Sequence, residues 1–216
     1  MVAGIIFILS HGPLRFYVLF GFLWRLFLAS QLPLFIVYVK NYLQGSTQDY
    51  SLFMMCLAIG GAAGSFIAGG IENVWTRRTL VYGGLGASYL FFALLPVSKN
   101  FLLALLLIGL SNLSFYVALV AIHSDVQQFT PNDMRGKVFA SAPTIFVPIG
   151  LISILIASPL ADRVGVEWVF LFSGMMALIT LPWVGWLNQL SSQLLEPLLK
   201  PKAPADRDVN GVSKRF

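Results

Sequence analysis

Charge and cysteine are what this sequence has least of. Only 11% of its 216 residues are Asp, Glu, Lys or Arg, against roughly 25% in a soluble globular domain. That scarcity excludes a water-facing surface over most of the chain. The single cysteine, Cys56, excludes an internal disulfide and any Cys/His metal cluster. No nucleophile elbow, phosphate loop or metal-ligand spacing occurs, so neither an enzyme nor a cofactor is expected. The net charge of +5 comes from basic residues scattered between apolar segments. They form no stripe with interleaved aromatics, which excludes a nucleic-acid surface.

What is present is apolar sequence in long runs. Hydrophobic residues make up 57% of the chain and the mean hydropathy is +0.80. A membrane-crossing helix needs about 20 predominantly apolar residues. Charges and turn residues cut the chain into six such pieces: Leu14 to Val39, Tyr50 to Ile71, Thr79 to Leu95, Phe101 to Gln128, Lys137 to Ala161 and Trp168 to Leu190. The connections "KNYLQGSTQD", "PVSKN", "FTPNDMRG" and "DRVGVE" carry the Pro, Gly, Asn and Asp that break helices. The expected organisation is a terminal linker at 1–13, a six-helix bundle at 14–190 and a disordered tail at 191–216. Met1 to Ser10 has no basic segment before "GIIFIL", and "SHGPLR" interrupts that run, so no cleavable leader is expected.

Basic residues set the orientation. One side collects Arg15, Arg77, Arg78, Arg135, Lys137 and the tail residues Lys200, Lys202, Arg207, Lys214 and Arg215; the other has Lys40, Lys99 and Arg163. Both termini are therefore expected in the cytoplasm, in a multi-pass protein of the plasma (inner) membrane.

A shift of 89 positions lays "AGGIENVWTRRTLVYG" (68–83) over "ASPLADRVGVEWVFLF" (157–172), so that Ile71 meets Leu160, Asn73 meets Asp162 and Leu80 meets Val169. The identity is weak, and two helix ends around a polar turn can resemble each other by chance. If the repeat is real, three helices are followed by three related ones. The odd number inverts the second set in the membrane, an arrangement found in transporters.

At these residues the chain resembles the major facilitator superfamily. "GGIENVWTRR" (69–78) is similar to the Gly-x-x-x-Asp-Arg-x-Gly-Arg-Arg inner loop of that family, keeping Gly69, Arg77 and Arg78 but with Asn73 for the Asp, Val74 for the first Arg and Thr76 for the second Gly. "QQFTPNDMRGKVFA" (127–140) resembles the Gln-x-x-x-Pro-x-x-x-Arg-Gly-Arg-Val segment of C-terminal halves in drug-, macrolide- and siderophore-exporter branches. "PLADRVGVEWVFLFSG" (159–174) is similar to the outer turn that follows it. The resemblance implies an all-α membrane protein of six helices in two inverted three-helix repeats, matching the C-terminal half of a major facilitator fold. It also implies a split or truncated transporter that needs an N-terminal half or a second copy. Gly69, Asn73, Arg77, Arg78 and Arg135 become inner-loop gating candidates, and the Asn73 departure leaves an ion pair built on that position without its carboxylate.

Arg25 stands ten residues beyond Arg15, about 15 Å along a helix, near the bilayer midplane. An arginine at that depth marks a cavity or pathway by default. It contacts either an anionic or polar substrate group or a carboxylate of the other half, and a structural arginine bonded to backbone or a snorkelling one is the alternative. Trp24 beside it either stacks on a flat apolar substrate or packs on lipid. Asn112, Ser111 and Ser114 either line the cavity or bond across helices. His123 and Asp125 point to different faces and are expected as interfacial polar groups, as is Glu72. Gly60, Gly64 and Ala68, with Gly61, Ser65 and Gly69, present two smooth faces for close helix packing or a sliding interface. Pro143, Pro148 and Pro159 predict kinks in the fifth span.

The function expected from these residues and the resemblance is secondary active transport, export of amphipathic small molecules by alternating access. The competing reading is a non-transporting orphan or truncated bundle that acts only as an interaction partner. Expected partners are the lipid bilayer, an unidentified small-molecule substrate and the other half, with no nucleic acid and no metal.

Overall fold

The computed structural model describes residues 12–71 and 77–199, the side chains at 12–17, 19, 71, 77, 78, 142, 145 and 184–199 excepted. Every described element is helical. In chain order they are α1 (Gly12–Leu28), α2 (Gln31–Val37) with a π-helical turn at Tyr38–Tyr42, α3 (Thr47–Ile71), α4 (Arg77–Leu94) with a 3-10 turn at Leu95–Val97, α5 (Phe101–Phe129), α6 (Asn132–Val164) and α7 (Val166–Leu199). Six segments are long and apolar enough to cross a bilayer: Phe20–Tyr42, Thr47–Gly70, Thr79–Val97, Phe101–Phe129, Asn132–Val164 and Val166–Trp183. Large apolar side chains lie on the outside, Phe66 88% exposed and Leu102 and Leu155 each 73%. A surface like that needs lipid rather than water against it. The chain is a multi-pass membrane protein.

The first span is not the single helix that its hydropathy predicts. It breaks at Ala29–Ser30, between α1 and α2. Pro33 has no N–H for the carbonyl four residues back and its ring crowds that carbonyl, which disfavours a continuous helix through Ala29. Pro143, Pro148 and Pro159, by contrast, sit inside the uninterrupted α6. The last helix also exceeds expectation, continuing to Leu199 rather than Leu190. "SSQLLEPLL" (191–199) is rich in residues that favour helix, so helix and apolar span need not end together.

Local chemistry fixes the connections. Ser46 and Asp49 form a reciprocal cap at the start of α3: the Ser46 N–H donates to Asp49 Oδ2 (2.7 Å) and the Asp49 N–H to Ser46 Oγ (3.2 Å). Asn100 caps α5 by accepting from the Leu102 N–H at 2.9 Å. The α6–α7 corner turns on Gly165, whose φ of +96° favours a residue without Cβ.

Packing centres on α5. It lies parallel to α3 at very close range, because an ideal Cβ on Gly60 or Gly64 would stand 2.2 Å from the carbonyl oxygen of Gly109 or Leu113 respectively. Against α4 it runs antiparallel, with Ser111 Oγ donating to the Ser88 carbonyl at 2.9 Å. On the other side α1 runs parallel to α6, joined by Ser153 Oγ donating to the Leu26 carbonyl at 2.6 Å. The helices α4 and α7 meet where a Cβ on Gly174 would touch Ala93. At one end an aromatic cluster of Phe35, Tyr38, Phe53, Phe92 and Phe170 fills the core. There the Tyr38 hydroxyl donates to the Leu95 carbonyl at 2.6 Å and that of Tyr42 to the Pro96 carbonyl.

Candidate functional site

The break in the first span borders a cavity of about 600 Å³. Its walls come from α1 and α2 (Phe20, Trp24, Arg25, Gln31), α5 (Asn112, Phe115, Tyr116, His123) and α6 (Phe146, Gly150, Ile154), with Leu57, Ser88, Tyr89 and Phe92 contributed by α3 and α4. The cavity is deep in the bundle. Trp24 stacks on Phe115 with ring centroids 5.2 Å apart, and Phe115 is the middle residue of the helix Phe101–Phe129. Gly150, near the middle of α6, faces the Arg25 side chain, its ideal Cβ 3.8 Å from Arg25 Cδ.

Arg25 is the cation of this site. Its guanidinium carbon lies 5.0 Å from the Trp24 ring centroid, within reach of a cation–π attraction. Among the described residues no carboxylate lies within ion-pair distance of it. A fixed positive charge at mid-depth thus faces a cavity walled mostly by aromatic and aliphatic side chains. In such surroundings an opposite charge is attracted far more strongly than in water.

Gln31 was not singled out from the sequence, yet it is the most constrained polar group at the cavity. It opens α2 directly after the break, is 2% exposed and donates from Nε2 to the Phe27 carbonyl at 3.0 Å. Its Oε1 has no hydrogen-bond partner. In "LASQLPLF" (28–35) Pro33 is a local signal for the break, but the hydropathy of the run conceals it and nothing there marks the amide as buried.

Of the residues singled out as cavity candidates, Trp24, Arg25 and Asn112 line this space, and Ser114 is not among its lining residues. The Ser114 carbonyl instead faces Gly84 of α4. Asn112 serves both roles considered for it: it borders the cavity and its Nδ2 donates to the Leu57 carbonyl at 2.6 Å. Ser111 bonds across to α4 while touching the same space. His123, expected at the membrane interface, lines the cavity and meets Phe139 edge-on with centroids 6.1 Å apart.

The small-residue faces separate by position. Gly60, Gly61 and Gly64 are covered by α5, and Ser65 bonds its own helix at the Gly61 carbonyl (3.0 Å), whereas a Cβ on Gly69 would meet nothing within 4 Å. Of the inner-loop candidates, Asn73 and the side chains of Arg77 and Arg78 lie outside the described residues, as do the side chain of Arg15, Glu72 and 200–216. Arg135 is placed: its Nε donates to the Gln127 (3.1 Å) and Thr130 (3.2 Å) carbonyls, clamping the turn between α5 and α6. Among the described residues no group of three or more His, Cys, Asp or Glu could hold a metal ion. No family model, curated protein or solved structure matches the chain.

Proposed function

We propose that the chain is one half of a secondary active transporter of the major facilitator type, exporting amphipathic small molecules by alternating access. The observation that carries this reading is the cavity itself: about 600 Å³ at mid-bundle, walled by aromatics, with Arg25 in its wall and a broken membrane span at its edge. Irregular backbone at membrane depth is tolerated where it lines such a space, and discontinuous helices border the binding sites of many transporters.

Internal symmetry supports the reading further. Adding 89 carries Gly61 to Gly150 and Gly64 to Ser153; adding 87 carries Arg25 to Asn112 and Leu26 to Leu113. The contacts follow. A Cβ on Gly61 would approach Asn112, and one on Gly150 would approach Arg25; Gly64 abuts the Leu113 carbonyl, and Ser153 bonds the Leu26 carbonyl. Between α4 and α7, Ala93 meets Gly174 and Gly86 meets Leu181, a pair of contacts exchanged by adding 88. Matching contacts of this kind are expected of two three-helix repeats. In this reading the basic residues of the Arg135 end face the cytoplasm, the membrane is the plasma membrane, and the second wall of the pathway comes from an N-terminal half or another copy.

The test is reconstitution of the full chain, alone and with a candidate partner half, in vesicles loaded with amphipathic fluorophores. Net flux above protein-free vesicles is expected, and its loss in Arg25→Gln would assign it to the cavity.

A further inference from the structure

The break at Ala29–Ser30 falls between two separate cores. Phe20 of α1 packs into one cluster with Leu85, Tyr89 and Phe146, whereas Leu34 and Phe35 of α2, with Tyr38 and Val39 of its π-helical turn, join Phe53, Phe92 and Phe170 in the other. The two parts of one span thus belong to different bodies. At the break side chains take over the service of the carbonyls: Ser153 Oγ donates to Leu26 at 2.6 Å and Gln31 Nε2 to Phe27 at 3.0 Å, while the Ala29 N–H reaches the Arg25 carbonyl at a long 3.4 Å. A few element-terminal residues of this kind are where a hinge absorbs its change of backbone angle.

The far end of this arm is fastened by two hydroxyls. The Leu43 N–H bonds the Tyr38 carbonyl at 3.0 Å, the i to i+5 spacing of a π-helical turn, and the widened turn stacks Tyr38 on Tyr42 with ring centroids 5.4 Å apart. Both hydroxyls donate to one place, the Leu95 and Pro96 carbonyls in the 3-10 turn after α4. Apolar packing adds contact but little solvent-driven force here, because lipid tails are as apolar as the side chains that would part. The polar pair therefore weighs heavily. Beneath the arm runs the cavity, lined by Leu32, Pro33 and Phe35, and above it Leu32 and Ile36 are 56% and 39% exposed, so no described element covers that side.

We propose that α2 and its π-helical turn form a hinged gate over the Lys99 end of the cavity, swinging about Ala29–Ser30 and latched by Tyr38 and Tyr42 on the Leu95–Pro96 turn. The arm from Gln31 to Tyr42 is about 18 Å long at the rise of a helix. A swing of about 20°, the size of an ordinary sharp kink, carries its end about 6 Å and parts both hydrogen bonds. The inference rests on the transporter reading for its purpose, since a gate needs a path to close, and on the geometry alone for the motion.

The test is the rate at which a water-soluble maleimide reaches a buried cysteine in the purified full chain in lipid nanodiscs, with Cys56→Ser as background. Leu34→Cys reports on the gate, because Leu34 lies on α2 and is 5% exposed; Ala121→Cys, at a position 4% exposed in the other core and not lining the cavity, reports on general loosening. Removing the latch by Tyr38→Phe with Tyr42→Phe keeps both rings and deletes both hydroxyls. Labelling at position 34 should then speed up roughly five- to tenfold, the effect of losing two hydrogen bonds of the strength usual between membrane helices. Labelling at position 121 should not change. Should the double variant fail to fold, each single Tyr→Phe should give about threefold at position 34, again with position 121 unchanged. An unchanged rate at position 34 overturns the gate. Equal acceleration at both positions also overturns it, since the hydroxyls then support the whole fold. No substrate enters the measurement, so a gate that fails here leaves the transporter reading to the flux experiment, and a gate that opens in a protein without flux stands while that reading falls.

Discussion

Gly64 of α3 lies so close to the Leu113 carbonyl of α5 that a Cβ on it would stand 2.2 Å from the oxygen. No side chain fits there without separating the helices. Gly64→Val should therefore lower stability by about 1–3 kcal/mol, the range of overpacking in a well-packed core. Gly69→Ala, where nothing lies within 4 Å, should leave it unchanged or raise it by up to about 1 kcal/mol through helix propensity. Thermal unfolding of the purified variants in one detergent distinguishes the two positions.

Asn112 and Ser153 tie α5 to α3 and α6 to α1 through side-chain donors to backbone carbonyls, each at 2.6 Å. Hydrogen bonds between membrane helices contribute about 0.6 kcal/mol each on average. Alanine at either site should cost about that much, and the double variant about the sum, since the pairs are separate. A double-variant loss well beyond the sum would show that the two bonds depend on each other.

The corner at Gly165 makes a sharper demand. Its φ of +96° is poorly suited to L side chains, and a Cβ there would stand 2.5 Å from a Glu167 oxygen. Gly165→Ala should lower the unfolding midpoint, with a cost of about 1–3 kcal/mol for residues held in sparsely populated backbone regions. If the midpoint is unchanged, the corner does not hold α7 in place.

Orientation is tested by thiol labelling in a Cys56→Ser background, which removes the only native cysteine. A cysteine at Lys99, beside the α4–α5 turn, should react with an impermeant maleimide added outside intact cells. One at Arg135, beside the α5–α6 turn, should react only after the cells are opened. The reverse pattern would overturn the orientation inferred from basic residues.

The sequence was most legible where hydropathy decides. The expected span Phe101 to Gln128 ends within a residue of α5, Phe101–Phe129, "PVSKN" holds the α4–α5 connection, and "DRVGVE" holds the Gly165 corner between α6 and α7. Arg25 stood out because its position within an apolar run is enough to single out a charge. Gln31 did not stand out, since one neutral amide in an apolar run is unremarkable until the chain breaks beside it. That break follows from competition between Pro33 and the surrounding helix, and the same residue type at Pro148 leaves α6 uninterrupted. The outcome depends on tertiary packing that no local pattern encodes. His123 illustrates the same limit: its distance along α5 suggested an interface, but its wall of the cavity reaches that far.

The most direct measurement is flux. Proteoliposomes holding the full chain, with its partner half where one is needed, are loaded with a panel of fluorescent amphipathic compounds of both charges, and their release is followed against protein-free vesicles. The account predicts saturable release of at least one compound, abolished by Arg25→Gln in protein that still folds. Correctly folded protein that releases none of them, alone or with its partner, would contradict the account.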